Sequence, residues 1–158
     1  MAKAVIIMGS KADLGWAEKI KKALEGLDVD VVLRVASAHK TPEKCLDVIN
    51  EYSQLENIIF ITIAGRSNAL SGFVDAQTDR PVIACPPYSD AFGGVDIFST
   101  LRMPSGVAPL VVIEPEGAAL AAAKILGLQD PKVRKRVQEY QQKMKQKVVE
   151  SDREVSRG

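Results

Sequence analysis

His39 is the one histidine of the chain, and it stands in Ser37-Ala38-His39-Lys40-Thr41-Pro42, where a run of β-branched residues gives way to a Thr-Pro helix start. It is the side chain whose ordinary titration falls near neutrality. Lys40 beside it and the start of the helix beyond are both positive, which favours the neutral imidazole, ready to take up a proton. Two other loops carry residues of matching type: Gly9-Ser10-Lys11-Ala12-Asp13 and Ala64-Gly65-Arg66-Ser67-Asn68. Serine hydroxyls, backbone N–H groups at helix starts, Lys40 and Arg66 are the donors a phosphate ester needs. Each loop alone is weak evidence, since a Gly-Ser turn is usually only a turn. Asp13 has two readings that the residues leave open: a cap for the helix that follows, or an acceptor for sugar hydroxyls. Arg66, beside Ser67 and Asn68, is read as a ligand contact. No GxGxxG or Walker lysine motif points to a dinucleotide or a nucleoside triphosphate, and no Ser/His/Asp order fixes an acyl-transfer geometry.

The elements that must position these loops are legible as apolar runs. Val5 to Met8, Val29 to Val35, Ile58 to Ile63, Val82 to Cys85 and Leu110 to Ile113 are short, β-rich and nearly continuous, as strands covered on both faces are. Between them lie segments of helical spacing. Leu14, Ala17, Ile20, Leu24 and Leu27 follow Asp13; Leu46, Ile49 and Leu55 follow Thr41 as N-cap and Pro42 as first helical residue. A third helix is predicted over about 68–78 and a fourth over 117–126. Alternation of this kind predicts one three-layer αβα sandwich with a central parallel sheet, flavodoxin-like or Rossmann-like. In such a sheet the three polar loops leave on one edge and converge on one crevice. Two stretches rich in proline and glycine, Cys85 to Gly94 and Met103 to Pro109, read as shaped loops. After Pro131 a charged segment with sparse apolar positions reads as a helix projecting from the core, either solvated or packed on another subunit.

Composition narrows the function. The chain has 158 residues, 46% of them hydrophobic, enough for one domain over 1–158 with a core of about 3–128 and a helical extension of about 131–152. Lysine plus arginine number 21 against 20 acidic residues, so no overall field draws nucleic acid or an anionic membrane. The first apolar run is too short for a signal sequence or a span, and the cytoplasm is the expected compartment. Cys45 and Cys85 stand apart, with no CxxC or Cys/His cluster, and are read as buried hydrophobes with no metal site.

Taken together, the loops resemble those of a known family. Met8-Gly9-Ser10 with Asp13-Leu14-Gly15, Ser37-Ala38-His39-Lys40, Ala64-Gly65-Arg66-Ser67-Asn68, Pro81-Val82-Ile83 with Cys85-Pro86-Pro87, and Ser99 through Gly106 look like the 5-aminoimidazole ribonucleotide (AIR) carboxylases of purine biosynthesis. The likeness runs in order over about 4–128. It is nearest the second class, which joins AIR directly to CO2; the first class, the N5-carboxyaminoimidazole ribonucleotide mutases, usually has arginine after the histidine and a second histidine in a glycine- and alanine-rich third loop. Here those places hold Lys40 and the loop from Arg66 to Leu70. The resemblance implies His39 as the catalytic residue, a substrate site of Ser10, Asp13, Ser37, Lys40, Gly65, Arg66, Ser67 and Asn68, no cofactor, and a homo-octamer whose C-terminal helices reach across subunits. One departure is Ala12, where serine is common. Two other readings remain at this stage: a nucleotide-sensing module without turnover, and a phosphosugar enzyme of another kind, such as an isomerase.

Overall fold

In the computed structural model, which describes residues 1–157, the apolar runs form β1 (Lys3–Met8), β2 (Asp30–Val35), β3 (Ile58–Ile63), β4 (Val82–Ala84) and β5 (Leu110–Val111). They make one sheet of order β2-β1-β3-β4-β5 in which every neighbouring pair is parallel. This is the flavodoxin-like order, and its direction reverses between β1 and β3. The helices are α1 (Leu14–Glu25), α2 (Pro42–Ser53), α3 (Leu70–Asp75), α4 (Phe98–Leu101), α5 (Pro115–Leu126) and α6 (Pro131–Ser156).

Strand alternation divides the core into two layers. Ala4, Ile6 and Met8 of β1, with Ile59, Ile61 and Ile63 of β3, face α1, α5 and the base of α6. Val5, Ile7 and Phe60 face the other way, against α2 and α3. The spacing of Ala17, Ile20 and Leu24 on α1 buries one side of that helix as its periodicity predicts.

Several expectations need correction. Continuous burial holds for β3 and β4, and for β1 past its first residue, but β2 is only half-buried and ends at exposed Val35, while Leu110 of β5 is 48% exposed. Both are edge strands, where the covering helices leave one flank open. On α2 the buried face is Cys45, Val48 and Ile49. Leu46 is only half-buried and Leu55 lies beyond the helix, exposed. Asp13 and Thr41 precede their helices without making side-chain caps. Thr41 Oγ1 instead accepts from the Ser37 N–H at 3.0 Å, closing the turn that holds His39. The third helix is shorter than its pattern at both ends: it starts at Leu70, after Arg66 and Asn68 bond to Ser99 and Thr100, and it ends at Asp75. α6 is a helix of 26 residues whose Val133 and Val137 alone are buried, so most of its length projects. No helix is long and apolar enough to cross a membrane among the described residues.

Candidate active site

Strand register brings the three polar loops level. Met8 pairs with Val35 on one side and with Ile63 on the other. The next residues continue the ladder, Gly9 N–H donating to Ile63 O and Ala36 N–H to Met8 O, both at 2.9 Å. The chain then leaves the sheet at all three places on the same edge. The loops surround a cleft of about 710 Å3 at the point where the strand order reverses.

Ser10 and Asp13 line the cleft from the first loop, Ser37, His39 and Lys40 from the second, and Gly65, Arg66 and Ser67 from the third. Ser10 Oγ accepts from the Ala12 N–H at 3.2 Å and Ser37 Oγ from the Lys40 N–H at 3.2 Å. Each hydroxyl therefore shapes its own turn and keeps its proton for a ligand. The backbone N–H groups of Ala38, His39, Arg66 and Ser67 find no partner within the described chain. Unpartnered amides beside Lys40 and Arg66 are the kind of donors that could hold an anion. Asp13 caps nothing, and burial raises its carboxyl above the ordinary range. Of its two readings from sequence, the helix cap is not made, and Asp13 lines the cleft.

Asn68 stands apart from the other expected site residues. It is 4% exposed and absent from the cleft wall; its side-chain amide donates to Thr100 Oγ1 at 3.0 Å, and its oxygen accepts from the Ser71 N–H at 3.3 Å. Both ends of the amide are spent on the protein, so Asn68 braces the loop from behind.

The fourth wall comes from the loop after β4, none of whose residues was among the expected site residues. Pro87, Tyr88, Ser89 and Asp96 also line the cleft, and a smaller recess of about 120 Å3 shares its Gly65, Arg66 and Tyr88 and runs in toward Pro86, Ile97 and Ile113. Tyr88 is held from two sides. Its ring meets Trp16 edge-on at 4.9 Å between centroids, and its hydroxyl donates to Glu114, which pushes that hydroxyl up to about 12. Trp16 in turn donates its indole N–H to Cys85 O at 3.1 Å, tying the loop after β4 to α1. The signals in the sequence were the density of proline and glycine there and the Cys85-Pro86-Pro87 motif of the family resemblance, neither of which names Tyr88 or Asp96.

A cleft lined by unpartnered amides, Lys40 and Arg66 at the reversal point of a parallel sheet is where α/β domains of this strand order hold their ligands. Comparison with known proteins narrows this. The model of the family described as AIR carboxylase matches residues 3–147. The chain is 58% identical to a phosphoribosylaminoimidazole carboxylase of Archaeoglobus fulgidus over 153 residues, 97% of this chain and 84% of that protein. It is 36% identical to a probable N5-carboxyaminoimidazole ribonucleotide mutase of Methanobrevibacter smithii over 97% of this chain and 46% of that protein. The crystal structure of Treponema denticola PurE superposes with a TM-score of 0.95 at 46% identity, covering 98% of each chain. The chain belongs to the AIR carboxylase family and is an enzyme of purine biosynthesis.

Proposed function

We propose that this enzyme joins CO2 directly to C4 of AIR, reversibly and without ATP, biotin or metal. The observation that carries the reading is the single cleft in which His39, Lys40 and Arg66 meet the two serine loops. The phosphate and ribose lie against Ser10, Ser37, Lys40 and Ser67 and the free amides, with Asp13 accepting from ribose hydroxyls. That anchoring spends binding energy on orientation and leaves the imidazole ring between His39 and the Arg66 loop. The recess of about 120 Å3 beside Arg66, with proline and isoleucine in its wall, suits CO2, a small molecule without a dipole.

The exocyclic amine makes C4 nucleophilic. C4 attacks the carbon of CO2, one C–O π bond opens to a carboxylate, and C4 then carries both a hydrogen and the new group. His39 removes that hydrogen as a proton, and the C–H electron pair restores aromaticity. Arg66 and neighbouring amides stabilise the carboxylate as its charge develops. In the reverse direction the imidazolium returns the proton to C4.

A mutase shifting the carboxylate from N5 is the second reading, and the Methanobrevibacter smithii relative favours it. Against it stand the single histidine and the loop Arg66-Ser67-Asn68-Ala69-Leu70. The decisive experiment supplies AIR with bicarbonate and no ATP, and in parallel supplies the N5-carboxylated nucleotide under CO2 depletion. Product only with added CO2 is the expected result, and efficient use of the N5-carboxylated compound would make the enzyme a mutase. Turnover in neither arm would leave a sensing module or another phosphosugar enzyme, which binding of sugar phosphates would separate. His39→Asn should lower the rate in both directions by about 100-fold or more while leaving the fold intact. We further infer a cytoplasmic homo-octamer, with the projecting part of α6 lying on neighbouring subunits.

A further inference from the structure

The third wall of the cleft rests on a backbone conformation that its residue does not favour. Arg66 has φ +60°, in the left-handed region where a side chain crowds its own carbonyl. Such a residue persists where its surroundings over-determine it. Here the restraint comes from Ser99, on the short helix α4. Ser99 Oγ accepts from the Asn68 N–H at 3.0 Å and lies 3.0 Å from Arg66 O and 2.8 Å from Asp96 O, toward either of which it can donate its one proton. Arg66 and Asp96 both line the cleft, whereas Ser99 and Asn68 do not.

The attachment continues on either side of this hydroxyl. Asn68 links to Thr100 through its side chain, as described above. Further along, the Met103 side chain lies close over Gly72, where a Cβ would fall 2.8 Å from its Sδ. Asp75 Oδ2 accepts from the Ala108 N–H at 2.7 Å. The segment 96–108 is thus fastened along 66–75 at four places, and the one nearest the cleft is the Ser99 hydroxyl.

We propose that Ser99, with Asn68 behind it, is a positioning residue that holds Arg66 in its left-handed conformation and so aims the guanidinium at the carboxylate being formed. The proposal rests on the carboxylation reading for its chemistry. With the hydroxyl removed, the Asn68 N–H loses its acceptor and Arg66 O its polar neighbour, and residue 66 relaxes toward negative φ, which turns its side chain relative to the ring site. Arg66 works mainly on charge that develops during reaction, so the loss falls on kcat more than on KM.

The test is a double-mutant cycle of Ser99→Ala and Arg66→Ala, with Ser99→Thr as the conservative control, measured on AIR and CO2. S99A is expected to lower kcat about tenfold, with KM for AIR within about twofold, because misdirecting a stabilising group is costly. S99T, which keeps the hydroxyl, should restore most of the rate. In the R66A background the S99A change should cost less than about twofold, since its effect passes through Arg66. A merely structural serine would cost the same factor in both backgrounds, and that result would overturn the proposal. So would an S99A enzyme with wild-type kcat. If the wild-type protein binds AIR but does not carboxylate it, the carboxylation reading falls, and the positioning role is read from the crystal structure of S99A: Arg66 turned to negative φ would uphold it, and Arg66 kept near φ +60° would overturn it.

Discussion

Asp13 is a carboxylate kept at some expense to the fold. It neither caps α1 nor finds a partner in the described chain, and burial raises its proton affinity above that of the unfolded chain. The sign follows directly. At low pH both states hold the proton; as pH rises past the unfolded value near 3.8, the unfolded state releases it first. Stability therefore falls as pH rises through the window above that value. Asp13→Asn should raise the melting temperature at pH 7 by only about 1 °C, given partial exposure, and the gain should vanish below about pH 4. The same substitution should weaken AIR binding; a variant that gained stability and bound AIR as well as wild type would remove Asp13 from the site. The two cysteines present the opposite case. Burial pushes both thiols up to about 11, so neither ionises near neutrality. At pH 8 alkylation of the native protein should be slower than in urea by about 100-fold, as thiolate fraction requires. A rapidly modified native thiol would contradict the burial of Cys45 and Cys85 in the core.

Among the elements, α1 and α3 show where pattern and packing part. The first helix was legible because Ala17, Ile20 and Leu24 repeat at helical spacing and bury one face. The third starts later than its pattern, which could not reveal that Asn68 bonds sideways to Thr100, 32 residues on, and holds the preceding loop open. A close approach of the same hidden kind joins α5 to α6. At Gly127 a Cβ would meet Ala123 O at 3.0 Å and the backbone of Arg134 at 3.2 Å, contacts that cannot give way by rotating a side chain. The Arg134 guanidinium also donates to Gly127 O at 2.9 Å. Gly127→Ala should therefore cost about 1–3 kcal/mol and lower the melting temperature by about 2–10 °C, measured by calorimetry. An unchanged transition would mean that α6 is free to move on α5.

At the scale of the molecule, much apolar surface is left uncovered within one chain. Phe92 is 88% exposed, Phe98 and Val148 are 65% and 70%, and Val149 and Val155 lie on the outer part of α6. The proposed octamer would cover these side chains. The proposed octamer predicts that light scattering at micromolar concentration gives a large multiple of the 17.1 kDa chain. Val148→Asp together with Val149→Asp should reduce it to smaller species. A wild-type monomer under those conditions would remove both the octamer and any site shared between subunits.

By itself the sequence determined the class of fold, since alternation of short apolar runs with helical spacing is written locally, in side chains a few residues apart. It also marked His39, Lys40, Arg66 and the serines, because strand ends carry polar loops to one edge of a parallel sheet whatever the remaining detail. Only the tertiary structure decided that Asn68 is a brace behind the cleft, that Asp13 is left without a partner, and that Tyr88 and Asp96 complete the wall. Each of those depends on residues distant in sequence meeting at ångström separations, and the periodicity of a single chain carries no record of such distances.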